Sequence, residues 1–503
     1  MKTDEENNRN SGIKEFHTYN QALELTGLGK FHYFLLLTCG LCLMSVIVET
    51  LNIGFIIPLI DFECDLKLTL ADKGILSASA FAGVVSSSYF WGFFADVTGR
   101  HKVMLICSIC SFIFSFLSSF SINVWMLIIT RFLVGFFVSG LAANTYAYLG
   151  EFHCDKTRAK HLNFCGVFMA LALTFCPAIG WMILRFRHPG SSSIHLELIG
   201  VHYSFWRLFL VICSILPFIM SIFLWFLPES PKFLLLQKKH DQVLKILHAI
   251  YSTNTRTHIY PVSKIETDEQ LLGSQREGRN FLKQLWIQTI PLFKAPFYKS
   301  TIKLSFVMFC LFAGSSGFFL WTPDILNQMI EYPNHTVCEI VDFVVGKRQN
   351  STAGSCSSSV SINEGIYEIT FMMGLFFSIV YFFNGLVINK FGKKNLLATW
   401  FILSGLSSIL VPFNKNYYVI LFLLLIFLTC GCCGSITSAC IVDIYPTNIR
   451  AISLCIILII GRLGAIAGSV FVSFMIATSC TAMFQIFGAM LIISALISCI
   501  LPD

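Results

Sequence analysis

Gly92-Phe93-Phe94-Ala95-Asp96-Val97-Thr98-Gly99-Arg100-His101-Lys102 is a short charged turn set between two long apolar runs. Gly99 has no Cβ to oppose the left-handed backbone that ends one helix and turns the chain into the next. Arg100 and Lys102 then lie at headgroup level, and Asp96 can pair with cations or with a neighbouring helix N-terminus. A degenerate copy, Asn389-Lys390-Phe391-Gly392-Lys393-Lys394, returns 293 residues later, position 389 against position 96. A plain basic anchor explains either turn alone; a tight turn at the same place in both halves points to a latch between conformational states.

A second repeated pair keeps the same step. Glu151 and Arg158 stand seven residues apart, as do Asp443 and Arg450, and the copies are 292 residues apart, position 443 against position 151. Independent loop charges rarely hold register in this way. The chain therefore reads as two related halves around a central cavity, the geometry of a rocking carrier.

Composition fixes the solvent. Of 503 residues, 55% are hydrophobic and 13% charged, whereas a soluble protein carries about 25% charged residues. A bilayer core ~30 Å thick takes about 20 apolar residues per helix, and uncharged runs of that length recur along the whole chain. Twelve spans are expected: 34–60, 75–95, 103–120, 124–148, 162–184 and 206–227, then 304–322, 369–388, 396–412, 418–442, 451–476 and 482–501. Backbone polar groups cannot stay unsatisfied in hydrocarbon, so the spans must be helices. The expected fold class is an all-α membrane protein of two six-helix bundles. Residues 1–33 form a tail, 34–227 the first bundle, 228–303 a linker, and 304–503 the second bundle, with a loop at 323–368.

The polar start, Met1-Lys2-Thr3-Asp4-Glu5-Glu6, is not a cleavable signal, so the first apolar run is expected to direct insertion itself. Basic residues in 96–102, 150–161, 228–303 and 389–394 place those segments, and both termini, in the cytosol. The segment 61–73 on the other side is acidic on balance; Arg185 and Arg187 are exceptions to the rule. The sequons at Asn334 and Asn350 both fall in 323–368, which the charge rule places outside, where glycosylation is available. Cys338 and Cys356 flank the second sequon, and an oxidising lumen would permit a bridge between them. Within the linker, 241–251 has the apolar spacing of an amphipathic helix, and 252–280 reads as a mobile tether.

The net charge of +7 resides in loops and carries no nucleic-acid signature. Most of the nineteen Cys lie inside apolar runs, where a thiol is a small hydrophobe, and Cys430, Cys432 and Cys433 lack the spacing and His partners of a metal site. Phosphate-cradling loops and catalytic groupings are missing, so neither a cofactor nor an enzyme activity is expected. The expected partners are the lipid bilayer, a small organic solute, and protons or cations, with one copy of the chain sufficing.

Charges inside a membrane are expensive and functional by default. Glu49 in the first span, Arg131 in the fourth and Arg462 in the eleventh stand out. Glu49 is the candidate proton or cation site; the bland alternative is a structural pair with a hidden cation. Arg462 would neutralise an anionic solute or Glu49 itself. Asn52, Asn144 and Asn384 add polar groups within spans, each equally able to bond a neighbouring helix. Trp181 and Trp321 suit an interfacial belt, and facing a cavity they would stack on a flat or cationic ligand.

The turn 92–102, Arg131-Phe132-Leu133-Val134-Gly135, Glu151…Arg158 and Pro228-Glu229-Ser230-Pro231-Lys232 resemble the signature of the major facilitator superfamily, in its sugar-porter-like and organic-ion branches. The stretches 22–33, Phe205-Trp206-Arg207-Leu208-Phe209, Trp321-Thr322-Pro323-Asp324 and Asp443-Ile444-Tyr445-Pro446-Thr447 resemble the synaptic vesicle glycoprotein 2 family. The resemblance implies alternating access, a glycosylated loop between spans seven and eight, and a central site lined at Trp181 and Trp321. It also implies a cytosolic charge network drawn from Asp96, Gly99, Arg100, Arg131, Glu151, Arg158, Glu229, Asp443 and Arg450 that holds the outward-facing state. Several positions depart from the pattern: Val46 replaces a second acid before Glu49, Gly434 and Ser438 replace an aromatic and an acid, and 313–320 lacks the Gln residues of sugar porters. The loop after span seven is short, and the chain ends at Leu501-Pro502-Asp503 without the sugar porters' charged motif. The expected function is secondary transport of a small organic solute, an organic ion included, at the plasma membrane or a vesicle or endosomal membrane. The alternative is a non-transporting membrane receptor or trafficking protein like the vesicle glycoproteins.

Overall fold

A computed structural model describes residues 16–63, 65–185, 193–196, 201–257, 260–262, 264–266, 289–332, 335–350, 365–445 and 447–501. The first half runs α1 (Tyr19–Leu25), α2 (Lys30–Glu63), α3 (Leu70–Thr98), α4 (Arg100–Ser118), α5 (Val124–Glu151), α6 (Asp155–Arg185) and α7 (Phe205–Trp225). Two short helices follow, α8 (Pro231–Leu236) and α9 (His240–Thr255). The second half runs α10 (Tyr298–Phe312), α11 (Thr322–Glu331), α12 (Val337–Asn350), α13 (Gly365–Phe391), α14 (Lys393–Leu410), α15 (Tyr417–Leu428), α16 (Cys433–Ile444), α17 (Thr447–Thr478) and α18 (Cys480–Cys499).

Eleven of the described helical segments are long and apolar enough to cross a membrane. The twelfth span is α3, 29 residues long but diluted by Ser, Gly and Ala. Those small residues let it lie almost backbone to backbone on α5: a Cβ at Gly83 would meet the Phe132 carbonyl at 2.1 Å, and one at Gly135 the Ala80 carbonyl at 2.0 Å. Close approach of this kind is how membrane helices gain packing energy where lipid removes the hydrophobic drive. The result is an all-α membrane protein of twelve spans in two six-helix bundles. The start of α2 and the end of α18 lie on one side, here the terminal face; the turns 65–69 and 119–123 and the strand pair 193–196 with 201–204 lie at the opposite, far face.

The halves repeat in detail. Gly99 and Gly392 begin α4 and α14 with φ of 111° and 82°, a region that favours glycine, so both turns reverse the chain by the same device.

Three sequence expectations change. Span seven does not end at 322. Gly314-Ser315-Ser316-Gly317 forms one π-helical turn after α10, and the chain resumes as α11, with Pro323 in its first turn and Asp324, Ile325, Leu326 and Asn327 buried. A proline lacks the N–H that the first turn leaves unbonded, so it starts such a segment at little cost. Part of the linker expected as a tether is ordered: α9 continues to Thr255, buries Val243, Leu247 and Ile250, and a parallel pair joins β1 (Phe16–Thr18) to Lys264–Glu266, while 267–280 lies outside the described residues. Lastly, Cys338 is bonded to Cys480, with Cα atoms 5.4 Å apart, and not to Cys356, which lies outside the described residues, as does Asn334. The first turn of α12 rests against the start of α18, so the bridging partner is set by the fold and not by nearness in sequence. Asn350 is the last residue of α12.

Candidate functional site

The scarce intramembrane charges find each other. Glu49 lies in the middle of α2 and Arg131 about two turns into α5, and both side chains are fully buried. Arg131 Nη1 donates to Glu49 Oε2 at 3.2 Å and to Asn52 Oδ1 at 3.3 Å. Ser115 Oγ on α4 lies 2.9 Å from both carboxylate oxygens, and Asn52 Nδ2 donates to Oε2 at 3.3 Å. Arg131 Nη2 reaches the Ser115 carbonyl at 3.2 Å and the Ser118 hydroxyl. Arg131 Nε is buried without a partner. Three helices of the first bundle thus converge on one neutral pair in the buried interior, where an unpaired charge is strongly destabilising.

This arrangement corrects the expected charge network: α5 starts at the far face, so Arg131 sits within the membrane and is no member of the terminal cluster. The remaining members do gather at the terminal face. Arg100 Nε meets Glu151 Oε1 at 3.0 Å, and Asp96 lies 3.6 Å from Arg100 Nη2. Ser230 Oγ donates to Glu151 Oε2 at 2.5 Å. Glu229 Oε1 accepts from the His101 and Ser230 backbone N–H groups, both at 3.0 Å. Its Oε2 would meet a Cβ at Gly99 at 2.3 Å, so the turn needs glycine for space as well as for φ. Arg158 also bonds backbone, its Nε donating to the Gly150 carbonyl at 3.0 Å and Nη2 to that of His153 at 3.4 Å. In the second half Lys393 pairs with Asp443. Lys393 and Arg100 are separated by 293 positions, Asp443 and Glu151 by 292, so the repeat preserves the ion pair itself. Lys393 as the matching cation was missed in the sequence, although it follows Gly392 as Arg100 follows Gly99. The Arg450 side chain lies outside the described set.

The other candidates do not converge. Asn144 Nδ2 donates to the Gly140 carbonyl of its own helix at 2.9 Å. Asn384 Oδ1 accepts from Trp400 Nε1 at 2.9 Å within the second bundle, and its Nδ2 is buried without a partner. Trp321 is buried, its Nε1 donating to the Ser469 carbonyl at 3.2 Å, whereas Trp181 is 37% exposed with the Arg185 guanidinium 5.3 Å over its ring. The two indoles therefore stand in different environments, and Trp181 has the character of an interfacial residue. Arg462 Nη1 donates to Ser88 Oγ of the other half at 2.9 Å and leaves Glu49 to Arg131.

Ser88–Arg462 is a polar contact between the bundles, and further ones lie towards one face. At the far face Ser473 Oγ donates to the Leu70 carbonyl at 2.5 Å, Tyr367 Oη to the Phe55 carbonyl at 3.0 Å, and Lys73 meets Asp324 at 3.3 Å. Glycines permit the same closeness: a Cβ at Gly54 would meet the Leu320 carbonyl at 2.8 Å, and one at Gly180 the Tyr367 ring at 2.2 Å. The bundles are pressed together at that face.

Residues 41–346 match the sugar (and other) transporter family. The chain is 31% identical to mouse synaptic vesicle glycoprotein 2C over 333 residues, 62% of this chain and 45% of that protein. To human synaptic vesicle glycoprotein 2B it is 27% identical over 359 residues, 67% of this chain and 51% of that protein. The chain thus spans about half the length of these relatives. Among solved structures, the partially occluded, inward-open xylose transporter XylE from E. coli aligns with a TM-score of 0.66 at 16% identity, covering 94% of this chain and all of that one. A second, inward-open XylE structure aligns with the same TM-score, covering 96% of its own chain. With more than half of its length matched to one family and its fold shared throughout, the chain belongs to the sugar (and other) transporter family, on a major facilitator fold.

Proposed function

We propose that the protein is a secondary transporter of a small organic solute, working by alternating access between two rigid bundles, 34–227 and 304–503. Glu49 is its coupling acid, taking a proton or a cation. The observation that carries this reading is the buried Glu49–Arg131 pair. A neutral pair can stay in a dry interior, but protonating Glu49 leaves the Arg131 cation uncompensated, so the proton is taken up only when the surrounding helices shift or an anionic group arrives. That dependence is what couples ion binding to motion. The clustering of cross-half contacts at one face supports the rocking geometry, since a carrier closed at one end opens at the other. Asp96, Arg100, Glu151 and Glu229, with Lys393 and Asp443, form the terminal latch that closes when the terminal ends of the bundles meet. Both termini face the cytosol, Asn334 and Asn350 carry glycans on the opposite side, and the resident membrane is the plasma membrane or a vesicle.

The test is uptake of labelled organic ions by purified protein in proteoliposomes. Glu49→Gln is expected to abolish the dependence of uptake on a proton or cation gradient; unchanged uptake with unchanged gradient dependence removes Glu49 from this role. A second reading, a non-transporting receptor like the vesicle glycoproteins, is favoured by the separation of Trp181 from Trp321, which leaves the expected aromatic site unassembled. Saturable flux by the purified protein excludes it as the sole role.

A further inference from the structure

Lys73 has no local reason to be where it is. It occupies the first turn of α3, where the helix dipole disfavours a cation, and its side chain is completely buried. Its Nζ is held by two carboxylates: Asp61 in the last turn of α2 at 2.5 Å, and Asp324 in the first turn of α11 at 3.3 Å. Both acids are themselves almost fully buried. Asp61 and Lys73 belong to one bundle and Asp324 to the other. Beside this triad the halves are also closely packed, with Gly74 placed so that its Cβ would meet the Ser473 side chain at 2.6 Å.

We infer that Asp61, Lys73 and Asp324 form a reversible electrostatic clasp that holds the far face closed. Three features make it a clasp and not a permanent staple. Of the triad's two ion pairs, Lys73–Asp324 is the one that parting the bundles must break. Lys73 keeps its nearer partner, Asp61, when that happens, so the break leaves no isolated cation in the interior. Asp324, once released, lies at the N-terminus of α11, where the helix dipole favours its negative charge, and in a mouth that water enters as the bundles part. An ion pair without such a home partner strands a buried charge on opening and resists separation. The inference rests on the rocking-bundle reading only for its place in a transport cycle; the closure of the far face is tested without any solute.

Ser473→Cys supplies a reporter at the closed seam, in a background where Cys64, Cys356 and the exposed Cys455 and Cys499 are serine. Its labelling rate by a membrane-impermeant maleimide, added from the far face, reads how often that face opens. Asp324→Asn removes the cross-half charge while leaving Lys73 paired with Asp61, and is expected to raise labelling about 5- to 150-fold, the span of a typical coupling between states. Asp61→Asn removes the home partner, concentrates Lys73 on Asp324, and is expected to slow labelling below the parent. Asp324→Glu retains the charge and stays within a few-fold of the parent. Labelling unaltered in Asp324→Asn, or accelerated equally by both Asn variants, overturns the clasp. Accelerated labelling in Asp324→Asn and slowed labelling in Asp61→Asn, together with no detectable solute flux, upholds the clasp and removes the transporter reading instead.

Discussion

Replacing Arg131 by methionine leaves the Glu49 carboxylate fully buried with its main countercharge gone. At 3.2 Å and an effective dielectric constant of about 20, the lost attraction is about 5 kcal/mol before relaxation. Ser115 and Asn52 still donate to the carboxylate and recover part of it. Removing one partner of a buried pair costs about 3–5 kcal/mol in general, and Arg131→Met belongs in that range. Glu49→Gln alone strands the guanidinium and costs a similar amount. Glu49→Gln combined with Arg131→Met leaves two neutral groups of similar volume, so the double variant is expected to be more stable than either single one. Thermal denaturation of the detergent-solubilised protein, followed by loss of the monodisperse peak on size exclusion, orders the three variants. If the double variant loses as much as the two single ones added together, the residues are not energetically paired and the coupling proposal loses its basis.

Other expectations follow from single contacts. His153, in the turn between α5 and α6, has a buried ring that pushes its pKa down to about 4, with the neighbouring His32, His161 and Arg158 adding to the burial. The unfolded chain takes up that proton near pH 6.5, so stability is complete above 6.5 and is lost as pH falls towards 4; His153→Gln flattens that slope in thermal scans, and an unaltered slope counts against it. Cys338→Ser and Cys480→Ser each remove the far-face bridge and cost about 2–4 kcal/mol, whereas Cys356→Ser leaves a peptide map showing the 338–480 link; a 338–356 link in that map contradicts the fold at α12. Gly83→Leu forces a side chain into the Phe132 carbonyl and costs at least about 1–3 kcal/mol, read as lost folded yield; wild-type yield denies the close α3–α5 approach.

The sequence showed the duplication because charge at a helix end is sparse and its spacing survives: Gly99 and Gly392, and the acids at 151 and 443, were legible as repeats. Glu49, Arg131 and Arg462 were legible as costly, but which pairs with which depends on helix rotation, and no single-residue property encodes that. Glu49 chose Arg131 because α2 and α5 present those faces to each other with Ser115 between, while Arg462 points across to Ser88. Lys73 and Asp324 escaped notice for a related reason: each lies at the end of an apolar run, where charge is ordinary, and only the meeting of the bundles buries them. The extension of span seven had a visible signal in Gly314-Ser315-Ser316-Gly317 followed by Pro323, which mark a turn of relaxed helix and a restart.

A rocking carrier needs two bundles that part at one face as they meet at the other. Pulsed electron spin resonance on nitroxides at exposed Ile122 and Phe474 measures the far face, and at exposed Val97 and Phe391 the terminal face. In lipid nanodiscs, Asp324→Asn is expected to lengthen the first distance and shorten the second relative to the parent. Two distances that stay fixed, or that lengthen together, contradict a rocking carrier.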